Sequence, residues 1–255
     1  VHMNNVIEAL IDNMEKIIVG KRSVIEHILV ALLSDGHVLI EDVPGVGKTQ
    51  IVATLARSVN GVFNRVQFTP DLMPSDIMGF SMFNPATREF EYRKGAAMCN
   101  FLLADEINRT SPKTQSSLLE IMEENQVTVD GKTYQLPRPF MVLATQNPVE
   151  CFGTYPLPEA QLDRFMFNVL LTYPEFEQEL MVVKNTTSDY RPKLEKILSG
   201  EEILFFQELI RRIPIPDNVL QYAVSLATKT RPNTKAATKD VNSFLSWGAG
   251  PRASQ

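Results

Sequence analysis

Asp42-Val43-Pro44-Gly45-Val46-Gly47-Lys48-Thr49 follows the apolar run Val38-Leu39-Ile40 and precedes a helix-like segment, Gln50 to Val59. In that setting small residues let backbone N–H groups curl round a polyphosphate, the Lys48 ammonium can reach β- and γ-phosphates, and the Thr49 hydroxyl can ligate Mg²⁺. The implied ligand is a nucleoside triphosphate held by Pro44, Gly45, Val46, Gly47, Lys48, Thr49 and Gln50. The full pattern has glycine where Asp42 stands, so the glycine of the first turn is lost while Gly47, Lys48 and Thr49 are kept.

Working outward, short runs rich in Val, Ile, Leu and Phe read as buried strands at His37 to Ile40, Val62 to Phe68, Phe101 to Ala104, Phe140 to Thr145 and Phe167 to Tyr173. Helical segments lie between them, notably Lys48 to Val59 and Pro112 to Glu124, the latter capped by Ser111 with Pro112 in its first turn. Strand and helix in alternation imply a parallel sheet covered on both faces. Helical spacing at Val6 to Met14 and Ser23 to Leu33 makes a leader before the first strand. Two hairpins interrupt the alternation, one from Ser81 to Arg93 around Asn84-Pro85 and one from Gln126 to Leu136 around Asp130-Gly131. After Tyr173 the pattern is helical, which places a boundary between Tyr173 and Arg191.

Phe101-Leu102-Leu103-Ala104-Asp105-Glu106 sets two acids at the C-terminal end of a buried strand, where open α/β sheets place their ligand sites. Asp105 would hold Mg²⁺ beside Thr49, and Glu106 would orient and deprotonate the water that attacks the γ-phosphate. Ala144-Thr145-Gln146-Asn147-Pro148 ends the fourth strand, and Asn147 could hold that water or the phosphate from the other side. Arg164, in Glu159-Ala160-Gln161-Leu162-Asp163-Arg164-Phe165, is the first candidate for an arginine supplied to a neighbouring subunit's γ-phosphate.

With 255 residues, 44% of them hydrophobic, the chain can bury a sizeable core. Its net charge of −5 and the absence of any run of five Lys or Arg argue against nucleic acid and anionic membrane as partners. The run Ile28 to Leu33 is too short to span a bilayer and no signal peptide opens the sequence, so a soluble, cytoplasmic protein is expected. Cys99 and Cys151 have no metal-like spacing and are expected to be reduced. No Asn-Lys-x-Asp motif favours guanine.

Taken together these motifs resemble the AAA+ ATPases and, more closely, the MoxR family. The resemblance is carried by Val19-Gly20-Lys21, Gly36 to Glu41, Val43 to Thr49, Asp105-Glu106-Ile107-Asn108-Arg109, Ala144 to Pro148, Pro158 to Phe165 and Trp247 to Ser254. It implies an α/β P-loop NTPase core with a five-stranded parallel sheet between helices, followed by a small, incomplete all-α lid. Residues 1–178 would form the core, with the leader at 1–35 and the inserted hairpins at about 80–94 and 126–137, and residues 179–255 the lid. Lys48 and Thr49 would belong to Walker A, Asp105 and Glu106 to Walker B, and Asn147 to sensor 1. Arg164 would be the arginine finger, Arg252 sensor 2 reaching the γ-phosphate from the lid, and Arg109 a further interface residue. Val19 and Gly20 would border the nucleotide. The hairpins would face a pore or partner, with Phe83, Phe90 and Tyr92 as contact residues. The resemblance further implies ATP and Mg²⁺, a ring, usually hexameric, and a chaperone-like role in maturing protein complexes or inserting metals alongside a von Willebrand factor A domain protein. The competing expectations are a nucleotide-gated, chelatase-like scaffold and a nucleic-acid-directed AAA+ motor.

Overall fold

The computed structural model describes residues 2–42, 45, 47–147, 153–187 and 192–254. Helices α1 (His2–Glu15) and α2 (Arg22–Leu33) precede strand β1 (Val38–Asp42), and α3 (Lys48–Ser58) leads into β2 (Phe63–Gln67). A short α4 (Pro74–Met78) and the hairpin β3 (Gly79–Asn84) and β4 (Glu89–Lys94) come before β5 (Phe101–Asp105). Next in the chain are α5 (Pro112–Glu124), the hairpin β6 (Gln126–Val129) and β7 (Lys132–Gln135), β8 (Met141–Gln146), α6 (Glu159–Leu162) and β9 (Phe167–Leu171). The remaining helices are α7 (Phe176–Thr187), α8 (Gly200–Arg211), α9 (Asp217–Lys229) and α10 (Lys239–Phe244).

The five long-range strands pair in parallel in the order β2-β5-β8-β1-β9. The reason is visible in β5, whose residues all lie buried and whose side chains divide between two cores. Phe101 and Leu103 point into one cluster with α1, α2 and α3, whereas Leu102 and Ala104 point into a second with α5. Each such Leu or Phe contributes about 1.5–3 kcal/mol of transfer free energy, so a two-faced strand of apolar residues is stable only between two layers. Because every strand runs the same way, all five C-terminal ends open on one edge.

Local chemistry sets the boundaries. Ser111 caps α5 by accepting from the Thr114 amide, and Asn125, at φ 53°, ends that helix and turns the chain into β6. Asp130 and Gly131 have φ of 51° and 75°, the paired left-handed geometry of a two-residue hairpin turn. At the neck of the first hairpin a Cβ on Gly79 would stand 2.3 Å from the Arg93 carbonyl oxygen, and one on Gly95 would stand 2.3 Å from the Gly79 nitrogen. The two backbones touch there, which only glycine permits.

Past β9 the described residues contain helices and no strand. They do not form one unit. Asn13 exchanges two hydrogen bonds with the backbone of Glu195, Gln207 Nε2 donates to the Leu32 carbonyl at 2.7 Å, and Leu198, Ile203 and Phe206 join the cluster of α1 to α3. Residues 195–207 are therefore sealed against the leader. By contrast Phe176, Tyr222, Phe244 and Trp247 are exposed on or beside α7, α9 and α10. Helix α10 stops at Phe244, and tertiary contacts claim the residues beyond it. The Ala249 amide donates to Thr230 Oγ1 at 2.8 Å, its carbonyl accepts from Arg231 Nε at 2.9 Å, and Gly248 lies flat against the Arg231 backbone. Among the described residues no helix is long and apolar enough to cross a membrane.

Candidate active site

Three chain segments meet at the C-terminal edge of the sheet. Lys48 opens α3 directly after the loop that leaves β1, Asp105 ends β5, and Thr145 lies near the end of the neighbouring β8. Lys48 Nζ stands 2.7 Å from Asp105 Oδ1, and Thr145 Oγ1 donates to the same oxygen at 2.7 Å while accepting from the Glu106 amide at 2.9 Å. Asp105 Oδ2 accepts from Arg65 Nη2 of β2 at 2.6 Å. Burial alone would raise the Asp105 pKa, but hydrogen bonds from Lys48, Thr145 and Arg65 outweigh it and hold the carboxyl below its ordinary value. The group is thus an anion at neutral pH although its residue is only 1% exposed.

Gly45 and Gly47 both have φ of 86°, and a Cβ placed on either would meet nothing within 4 Å. The left-handed backbone is what lets a loop aim successive N–H groups into one hollow, and the open space before it suits a bulky anion. Pro44 and Val46, expected to line the nucleotide, lie outside the described residues. Thr49 and Gln50 occupy the first turn of α3, where N–H groups remain for an anion. Val19 and Gly20 form the turn between α1 and α2, at the end of β9. Lys21 Nζ donates there to the Thr172 carbonyl at 2.7 Å, and Gln178 of α7 covers Gly20 so closely that a Cβ would strike it.

Glu106 has φ 57°, which turns its side chain out of the strand direction and beside Arg109. Its Oε2 stands 3.0 Å from Arg109 Nη1 in an ion pair without hydrogen-bond alignment, and is otherwise a buried oxygen without a donor. Asn108 Oδ1 is buried and unpartnered in the same way, while Asn108 Nδ2 points at the Asn147 carbonyl at 3.4 Å. Orphaned acceptors next to an ionised Asp105 and an open glycine loop fit a site meant for a hydrated cation and a polyphosphate. Among the described residues no group of three or more His, Cys, Asp or Glu could cage a metal ion alone. A cation here would rest on Thr49, Asp105 and its nucleotide, which is the habit of Mg²⁺.

Arg164 and Arg252 lie elsewhere. Arg164 Nη2 is 3.2 Å and Arg252 Nη2 2.7 Å from the Glu123 carboxylate at the end of α5. With Asp35, Gly36, His37 and Met122 these residues line a cleft of about 190 Å³ at the N-terminal end of β1. His37 is buried beside it: one ring nitrogen accepts from the Val142 amide at 3.0 Å and the other reaches the Met122 carbonyl at 3.1 Å. Burial holds its pKa below the ordinary 6.5, so the ring is neutral and both contacts are satisfied.

The family model described as "ATPase family associated with various cellular activities (AAA)" matches residues 37–167. A Mycobacterium tuberculosis protein named Chaperone MoxR1 is 45% identical over 253 residues, covering 97% of this chain and 66% of its own. The chain belongs to the MoxR family of AAA+ ATPases. The Bacillus subtilis protein YeaC, of uncharacterised function, is 53% identical over 222 residues, or 87% of this chain and 69% of its own. A solved Cytophaga hutchinsonii structure, provisionally described as an ATPase, superposes with a TM-score of 0.90 at 43% identity, over 98% of this chain and 76% of that one. The chain thus spans about two thirds to three quarters of the length of these relatives.

Within this MoxR-family fold the first hairpin carries Phe83 and Phe90 exposed at its tip as an edge-to-face pair 5.5 Å apart. Tyr92, expected as a third contact residue, is turned inward instead. Its ring stacks on Tyr134 of the second hairpin at 3.9 Å, and its hydroxyl donates to the Met78 carbonyl. Sequence reasoning missed Arg65, Thr145 and Glu123. Thr145 was within reach, since it stands in the same polar break as Asn147. Arg65 and Glu123 gave no signal beyond that of ordinary surface charges.

Proposed function

We propose that this chain binds ATP with Mg²⁺ and hydrolyses it between adjacent subunits of a homo-oligomeric ring. The observation that carries the reading is the convergence of Lys48, Thr145 and an ionised Asp105 at the C-terminal edge of the sheet, beside an open glycine loop. Lys48 neutralises the β- and γ-phosphates, Thr49 and Asp105 hold the cation, and Glu106 deprotonates the attacking water while Asn147 fixes its position. The cation, when bound, neutralises charge developing on the transferred phosphoryl group.

Arg164 and Arg252 act on a neighbouring subunit's nucleotide. In support, both share Glu123 at the N-terminal end of β1, whereas Lys48 of the same chain follows its C-terminal end. Two arginines in one cleft can grip the oxygens of a γ-phosphate that neither subunit completes alone. Residues 1–178 act as core and 179–255 as lid, with 195–207 as the stretch of the lid that is anchored on the core. Nucleotide turnover changes their angle and moves the hairpins against a protein client, with a von Willebrand factor A domain protein as co-worker. The exposed Phe83–Phe90 tip supports a protein-facing role for the first hairpin.

The test is Mg²⁺-dependent ATP hydrolysis per chain across a wide range of protein concentration, with Glu106→Gln as the blank. A specific rate that climbs with concentration is expected. A measurable but concentration-independent rate would remove Arg164 and Arg252 from the neighbour's site.

A further inference from the structure

Both oxygens of Asp105 are occupied, and the two are held differently. Oδ1 is shared by Lys48 and by Thr145, which is fully buried and is itself pinned by the Glu106 amide. That oxygen is fixed towards β8. Oδ2 is held by Arg65, whose side chain remains 47% exposed. Arg65 pairs in register with Leu103, two residues before Asp105 on the same pleat face, so its guanidinium reaches forward along the strand to the open edge of the sheet. A carboxylate that supports a cation's water shell needs one outward oxygen. Here the outward oxygen is Oδ2, and Arg65 sits on it.

We propose that Arg65 is a positioning residue that competes with the divalent cation for Asp105 Oδ2. In the nucleotide-free protein it keeps the carboxylate engaged, and it swings into solvent when a metal–nucleotide complex is bound. The inference rests on the ATP–Mg²⁺ reading of the site. The charges explain why the exchange is reversible. Asp105 faces two monovalent cations, and Lys48 transfers to the phosphates when a nucleotide enters. Arg65 would then confront a dication across one oxygen, which like-charge repulsion disfavours. Because its guanidinium is already half in water, its own departure costs little desolvation, and the arriving cation replaces it at the buried Oδ2. The site therefore stays closed to metal alone and opens to metal accompanied by phosphates.

The experiment is a Mn²⁺ titration, followed by the loss of the free-ion electron paramagnetic resonance signal, in ADP so that no hydrolysis intervenes. The ADP is held at or below the concentration of protein sites, and a protein-free ADP blank is subtracted. Removing a charge-assisted contact to a buried partner should lower the half-saturating Mn²⁺ concentration of Arg65→Gln at least about threefold. Arg65→Lys, which keeps the charge but not the planar fork, should fall between the two. Affinity for a fluorescent ADP analogue without metal should stay within about twofold of wild type, since Arg65 is assigned no phosphate. An unchanged or higher Mn²⁺ requirement in Arg65→Gln overturns the proposal, as does a large loss of metal-free ADP affinity, which would make Arg65 a phosphate ligand. If circular dichroism shows Arg65→Gln to be unfolded, an unchanged half-point in Arg65→Lys overturns it equally. Wild-type protein that binds no nucleotide would bring down the ATP reading and this inference together. Nucleotide binding with an unaltered metal requirement would bring down this inference alone.

Discussion

At each end of the parallel sheet one carboxylate holds two cations, and the two arrangements are built in opposite ways. Asp105 is enclosed by β2, β5 and β8; its contact to Thr145 comes from the neighbouring strand, and Lys48 reaches it from the first turn of α3. Glu123 stands in the last turn of α5, about half exposed, and meets Arg164 and Arg252 at the surface. The first cluster is part of the fold and is shielded from salt; the second is adjustable and screened. A site that must hold its shape between turnovers suits the first construction, and one that must exchange partners suits the second.

The sharpest way to break this contrast is at Lys48. Lys48→Ala should weaken ATP binding on the order of 100-fold or more, because it removes the charge from one buried oxygen of Asp105 and from the phosphates. Isothermal titration with a non-hydrolysable analogue reads the loss; near-normal affinity would show that the buried cluster is structural only. His37→Ala should cost about 2–4 kcal/mol in chemical denaturation, since the Val142 amide and Met122 carbonyl lose a buried partner and a cavity opens.

The same histidine gives a pH signature. Its folded-state pKa is depressed below the ordinary 6.5, so as pH falls the unfolded chain takes up a proton first. Its contribution to stability is complete above about pH 6.5 and is lost progressively below it as the pH nears the folded-state value, and His37→Gln should flatten that slope. Thr145→Val, a smaller lesion, should cost about 1–3 kcal/mol by stranding the Glu106 amide and one side of Asp105. Glu123→Ala should cost about 0.2–1 kcal/mol and become silent in high salt. If Glu123→Ala destabilised the protein as much as Thr145→Val, the distinction between buried and adjustable clusters would collapse.

Much of the architecture could be read in the chain because its signals are local. Strands buried on both faces must be continuously apolar, so β5 and β8 announce themselves, and Ser111, Asn84-Pro85 and Asp130-Gly131 mark their turns by side-chain and φ requirements. That Lys48 and Asp105 would meet at one edge of the sheet was legible from their positions alone. What escaped depends on contacts distant in sequence. Arg65 meets Asp105 40 positions away, and on an edge strand an arginine reads as a solvated charge. Tyr92 alternates like any hairpin residue, and nothing in that alternation reveals the ring of Tyr134 beneath it. Nor does any local signal past α10 reveal that Thr230 and Arg231 hold the backbone of Ala249.

The pinched neck at Gly79 and Gly95 has a mechanical corollary. With two backbones in van der Waals contact the first hairpin has a narrow pivot and little freedom to shear, while the Tyr92–Tyr134 stack acts as a strut to the second hairpin. That second hairpin is rooted through buried Val127 and Leu136 in the core on the α5 side, and the chain runs on from it into β8 and Thr145. A load applied to the Phe83–Phe90 tip is therefore geared to the strand that steadies Asp105 instead of dissipating in a floppy loop.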